Sequence, residues 1–131
     1  DGGQQQFIPS AFDEDERETS LSDVLEQVRS TIETRHSVDS MARLAHQSPR
    51  TFARRFREAT GNTPHRWLVS ERVKLAQSLL EETHDSVERI AQVVGFGDAQ
   101  VLRGHFKRTV GAAPADYRRT FRRVRETGES K

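Results

Sequence analysis

At 131 residues, 33% hydrophobic and 31% charged, the chain has material for one small domain or for two subdomains sharing a core. It contains no cysteine, which excludes a disulfide framework, a thiolate zinc site and a thiol nucleophile. The net charge of +1 hides an asymmetry: residues 1–36 carry nine acidic and three basic side chains, residues 37–131 eleven and eighteen. A basic body thus follows an acidic leader, and basic bodies favour polyanions such as nucleic acid.

Residues 1–19 (DGGQQQFIPSAFDEDERET) lack a sustained period and read as an acidic, flexible interdomain linker. The chain opens without methionine, so a fragment of a longer protein is expected. Ser20 or Ser22 starts a helix to about Thr34, with Leu21, Val24, Leu25, Val28 and Ile32 as its apolar stripe. Ser37 caps a short helix through about His46 that buries Val38, Met41, Ala42 and Ala45. Ser48-Pro49 is a hydroxyl cap followed by proline at the first helical position, and the helix it opens runs to Thr60, where Gly61 stops it. Phe52 and Phe56, four apart, face inward. Thr63-Pro64 repeats that signal for a long helix to Glu82, with Trp67, Leu68, Ala76, Leu79 and Leu80 buried. Ser86 caps another short helix, Asp98 another that buries Leu102 and Phe106 until Gly111, and Pro114 opens a last one with Tyr117, Phe121 and Val124 inward. No stretch alternates as a half-buried strand does. The expected fold is all-α, about seven helices, with a short tail at 126–131.

The second half of this series repeats the first. Ser37, Val38 and Ala42 match Ser86, Val87 and Ala91 at an offset of 49. Phe56, Gly61, Pro64 and Trp67 match Phe106, Gly111, Pro114 and Tyr117 at an offset of 50. One extra residue therefore sits in the turn Gly95-Phe96-Gly97. Each copy, 37–61 and 86–111, is a short helix, a tight turn and a capped second helix, the helix-turn-helix layout whose second helix enters the DNA major groove.

With Phe52 and Phe56 inward, Arg50, Thr51, Arg54 and Arg55 cover the outer side of the first recognition helix. Arg50 and Arg54 stack one turn apart, and each guanidinium suits the bidentate contact to guanine O6 and N7. The second copy turns out Ala99, Gln100, Arg103, Gly104 and Lys107, with His105 toward one flank. Gln100 suits adenine, whereas Gly104 offers no side chain and costs about 1 kcal/mol of helix propensity. The first unit is expected to dominate base reading. Ser48, Thr51, Arg55, Arg66, His105, Lys107 and Arg108 are the candidates for phosphate contact. The 64–82 helix spans roughly 28 Å at about 1.5 Å per residue, against about 34 Å between major-groove faces on one side of a duplex. A single chain is thus expected to seat both recognition helices in adjacent grooves.

These residues resemble the C-terminal DNA-binding domain of the AraC/XylS family of bacterial transcription regulators, over about residues 21–124. The resemblance rests on the run from Ala42 through Ser48-Pro49-Arg50 to Phe56, on the pairs Gly61/Pro64 and Gly111/Pro114, and on the I-A-x3-G-F run beginning at Ile90. It implies two helix-turn-helix units on a linker helix within 20–125, acting in activation or repression. It assigns base reading to Arg50, Ala53 and Arg54, and to Ala99, Gln100, Arg103 and Gly104. Ala53 and Gly104 depart from the longer polar residues common there. The opening GGQQQFIP resembles the exit of the sensor domain in the subgroup with an amidotransferase-like N-terminal domain.

Other functions fit less well. The histidines at 36, 46, 65, 84 and 105 form no i, i+4 pair and no H-E-x-x-H, so no metal is expected. No nucleophile elbow or P-loop is present, and neither catalysis nor a cofactor is expected. A helical protein-interaction module contacting the transcription machinery without base reading is the alternative. Expected partners are double-stranded DNA and RNA polymerase, with this chain monomeric and a longer protein dimeric through a further N-terminal domain. No run reaches the roughly 18–20 apolar residues of a membrane span and no signal peptide is read, so a cytoplasmic, nucleoid-associated location is expected.

Overall fold

Side-chain oxygens start the short helices as their sequence suggests. In the computed structural model, which describes residues 21–127, Ser37, Ser48, Ser86 and Asp98 each stand at an N-cap and accept a hydrogen bond from a first-turn N–H. Seven helices and no strand occur among the described residues: α1 over 21–30, α2 Val38–Leu44, α3 Pro49–Thr60, α4 Pro64–Glu82, α5 Val87–Val93, α6 Ala99–Val110 and α7 Pro114–Thr127. None is long and apolar enough to cross a membrane. The linker over 1–19, its sensor-exit signature and the end of the tail lie outside the described residues.

Two compact units share these helices, one holding residues 21–31 and 36–64, the other 32–35 and 65–127. In the first, α2 packs on α3, and Val24, Val28, Met41, Ala42, Ala45, Phe52 and Phe56 are buried. The rings of Phe52 and Phe56 meet at 5.7 Å. In the second, α5 packs on α6 over a core of Val73, Ala76, Leu80, Ile90, Ala91, Val94, Leu102 and Phe106, with Tyr117 edge-on to Phe106.

The offset change falls where the sequence put it. His46 (φ 60°) and Gly95 (φ 98°) occupy equivalent left-handed positions just past α2 and α5. The following caps, Ser48 and Asp98, are already 50 apart. Gly95 is irreplaceable for a second reason: a Cβ there would lie 2.3 Å from the Ile32 carbonyl oxygen.

Several expectations needed correction. Helix α1 ends at 30, not Thr34: the Ser30 and Thr31 hydroxyls bond back to the Gln27 carbonyl (2.9 and 2.8 Å), and past them the Ile32 and Thr34 carbonyls turn to Arg72 instead of continuing the helix. Helix α2 stops at Leu44, since His46 is left-handed. Helix α7 runs on to Thr127, past the expected end at 125, and Val124 is 50% exposed rather than inward. Trp67, Tyr117 and Phe121 are half-buried.

The repeat also reaches further back than the recognition units. Glu33-Thr34 and Ser37-Val38 match Glu82-Thr83 and Ser86-Val87 at the same offset of 49. One interaction type recurs there. Arg72, only 9% exposed, donates from Nη2 to the Ile32 and Thr34 carbonyls (3.1 and 2.9 Å). Fifty residues on, Arg122 donates from Nη2 to the Thr83 carbonyl, to which Arg118 Nη2 also donates at 3.1 Å. Helices α4 and α7 thus each carry a guanidinium that satisfies carbonyls left open just past the ends of α1 and α4 respectively.

Candidate nucleic-acid interface

Burial of two apolar residues four apart fixes the rotation of each recognition helix, and so decides what it exposes. On α3, Phe52 and Phe56 are 1% and 0% exposed, which leaves Arg50 and Arg54 exposed and Thr51 and Ala53 half-buried. Ser48 Oγ accepts from the Thr51 N–H at 3.2 Å, so its own hydroxyl hydrogen stays available to an acceptor at the helix start. Arg54 Nη1 lies 3.4 Å from Glu58 Oε2, an exposed pair that a base edge can outcompete. Arg55 is half-buried, and its Nε is enclosed without a partner among the described residues.

On α6, Leu102 and Phe106 are buried in the same way, and Asp98 Oδ1 accepts from the Gln100 N–H at 2.6 Å. Gln100, Arg103, Lys107 and Arg108 are exposed, whereas Ala99, Gly104 and His105 are half-buried. The Arg103 guanidinium lies 3.4 Å from Gln100 Oε1 and 3.5 Å from Glu88 Oε2 on α5. His105 stacks on Phe96 (5.0 Å between centroids) and its Nδ1 lies 3.2 Å from Arg108 Nη2. Burial, then the nearby Arg108 and His65, lower its pKa from the ordinary histidine value, because each disfavours an added proton.

The structure brings Arg66, His105 and Arg108 together along one cleft of the second unit. Ser48, Thr51 and Arg55 lie in the first unit, while Lys107 stays exposed on α6 outside that cleft. Three features went unread in the sequence. Val101, 43% exposed, sits one position past Gln100 and presents methyl groups on the outer side of α6. Glu58 and Glu88 pair with Arg54 and Arg103. The Arg54–Glu58 spacing of four was legible, but Glu88 reaches Arg103 only across two helices. No group of three His, Asp or Glu residues that could hold a metal occurs among the described residues.

Residues 41–120 match the family model described as a helix-turn-helix domain, and the chain belongs to that family as a DNA-binding domain of the AraC/XylS type. It is 42% identical over 86 residues to the HTH-type transcriptional regulator Rv1931c of Mycobacterium tuberculosis, covering 66% of this chain and 33% of that protein. A putative AraC-like transcription regulator of Streptomyces lividans is 36% identical over 83 residues, 63% of this chain and 27% of its own length. The chain therefore spans about a third of the curated relatives it matches. Among solved structures, the DNA-binding domain of AdpA, a global transcriptional factor, in complex with a target DNA is 40% identical with a TM-score of 0.80, covering 83% of this chain and 98% of that one. An AraC-type regulator from Chromobacterium violaceum, 22% identical with a TM-score of 0.72 and covering 79% of this chain and 93% of that one, shares the fold.

Proposed function

We propose that this chain binds specific double-stranded DNA sequences as the reading domain of a bacterial transcription regulator, within residues 20–125. The observation that carries it is the duplication of one device. Two helices, each capped at Ser48 or Asp98 and each rotated by a buried pair, turn polar and cationic side chains outward. The solved AdpA domain, crystallised with its target DNA, supports the same reading.

In this proposal Arg50 and Arg54 read guanines and dominate discrimination. Ala53 and Ala99 allow close approach, Gln100 reads adenine, and Val101 meets a thymine methyl. Arg103 and Lys107 anchor more than they read, since Gly104 leaves α6 short of a second long side chain. Ser48, Thr51, Arg55, Arg66, His105 and Arg108 supply backbone contacts. The protein works in the cytoplasm on the nucleoid and touches RNA polymerase when it activates. This chain is monomeric, and any dimer of a longer protein forms outside residues 21–127.

Salt dependence tests this directly. With about six phosphates neutralised, log K for a duplex selected from a random pool falls with log salt at a slope near −5. A slope shallower than about −2, or equal affinity for selected and scrambled duplexes, favours the protein-interaction alternative instead.

A further inference from the structure

The cleft between α4 and α6 in the second unit encloses about 480 Å³ and gathers basic groups without a carboxylate among its lining residues. Helix α4 contributes His65, Arg66 and Ser70, and α6 contributes His105, Arg108 and Thr109. Every polar side chain on these walls has a hydrogen to donate. The positive groups crowd one another: Arg108 and His65 both make protonation of His105 harder. Arg108 donates to His105 Nδ1 at 3.2 Å, which fixes the tautomer and leaves Nε2–H as the donor. The ring is held flat against Phe96, so it cannot swing away from its cationic neighbours without losing that stack. A folded protein keeps like charges together at a cost, and a bound anion removes the cost.

We propose that this cleft is a phosphate site whose occupancy is tuned by the protonation of His65 and His105. A tetrahedral phosphate matches its chemistry: two guanidiniums for charge, two hydroxyls and two imidazoles for the remaining oxygens. Arg66, on the first turn of α4, and Arg108 stay charged throughout, so the imidazoles set the pH response; Phe96, from the turn before α6, adds no charge. An anion favours a protonated ring, so phosphate binding strengthens as pH falls into the range, below the ordinary histidine value, where His105 takes up a proton. The phosphate can belong to a DNA backbone, in which case the site rests on the reading proposed above for Arg66, His105 and Arg108, or to a free phosphorylated solute, in which case it does not.

The test follows the ring proton resonances of all five histidines of the 131-residue chain across pH, with inorganic phosphate or chloride at one ionic strength. Phosphate is expected to raise the midpoints of His65 and His105 alone, with His36, His46 and His84 as internal controls, and Arg108→Gln is expected to abolish the effect. If DNA is the source, Arg108→Gln also lowers the salt slope of duplex binding by about 0.9 and phosphate competes with the duplex. If a free solute is the source, the variant loses inorganic phosphate and leaves the duplex slope unchanged. A chain that binds no duplex yet shows the phosphate response overturns the DNA reading and keeps this site. Equal responses from all five histidines, or none at His65 and His105 with either phosphate or duplex, overturn it.

Discussion

Arg50 and Arg54 are exposed because Phe52 and Phe56 are not, and that single rotation sets the sharpest expectation at the residue scale. Arg50→Ala and Arg54→Ala should each weaken specific binding by about 1–3 kcal/mol and relax base choice, measured on duplexes varied one position at a time. Unchanged discrimination at every position would remove either residue from the reader set. The Glu58 partner of Arg54 puts that residue's gain toward the lower end, since the exposed pair must open first. Gly104 yields a prediction of opposite sign. A Cβ there meets only the Arg108 guanidinium, at 3.8–3.9 Å, and the backbone is ordinary helix. Gly104→Ala should therefore stabilise the fold by about 1 kcal/mol in denaturant melts, the helix-propensity difference alone. A destabilised variant would mean that α6 needs close approach at this point. These outward residues were legible because two apolar positions fix a helix's phase. Val101 was missed because an apolar residue beside Gln100 looks, in sequence, like one more core position.

At the scale of elements, the caps and stops carried most of the fold. Ser48-Pro49, Asp98, Gly61 and Gly111 fall on the helix boundaries the sequence suggests, since a proline lacks the N–H and a left-handed turn favours glycine. The end of α1 was not legible. It depends on Arg72, forty residues away from Ile32, and on hydroxyls that read equally well as helix surface. An arginine inside the apolar stripe of α4 gave no sign in sequence that it was buried. Its burial lowers its pKa from the ordinary arginine value, and the two carbonyls stand in for the water it gave up. Arg72→Met keeps the volume and should cost about 2–3 kcal/mol, because the buried Ile32 carbonyl and the part-buried Thr34 carbonyl lose a charged donor. Arg122→Met should cost less, as Thr83 keeps its bond from Arg118. Thermal melts of the two variants compare them, and equal losses would mean that the carbonyls of 32–34 find water.

On the scale of the whole molecule, duplication explains what neither copy shows alone: α4 closes the first copy and opens the second, so it is spent twice. Residues 32–35 belong to the second unit although residues on both sides of them belong to the first. A fragment that starts at residue 36 loses α1, whose Val24 and Val28 are buried in the first unit, and also the acceptors of Arg72 in the second. Such a fragment should therefore be destabilised in both units, with amides of α5 as well as those of α2 exchanging faster than in the full chain. Unchanged exchange in α5 would mean that the second unit does not need residues 32–35. The threading also acts as a tether. A displacement of residues 32–34 is carried by the Ile32 and Thr34 carbonyls to Arg72, and from there to the Phe96 ring 6.0 Å from its guanidinium carbon, against which His105 of α6 is stacked. Such a displacement is thus felt by the turn of the second unit, through four residues that a domain boundary drawn along the sequence would assign to the first.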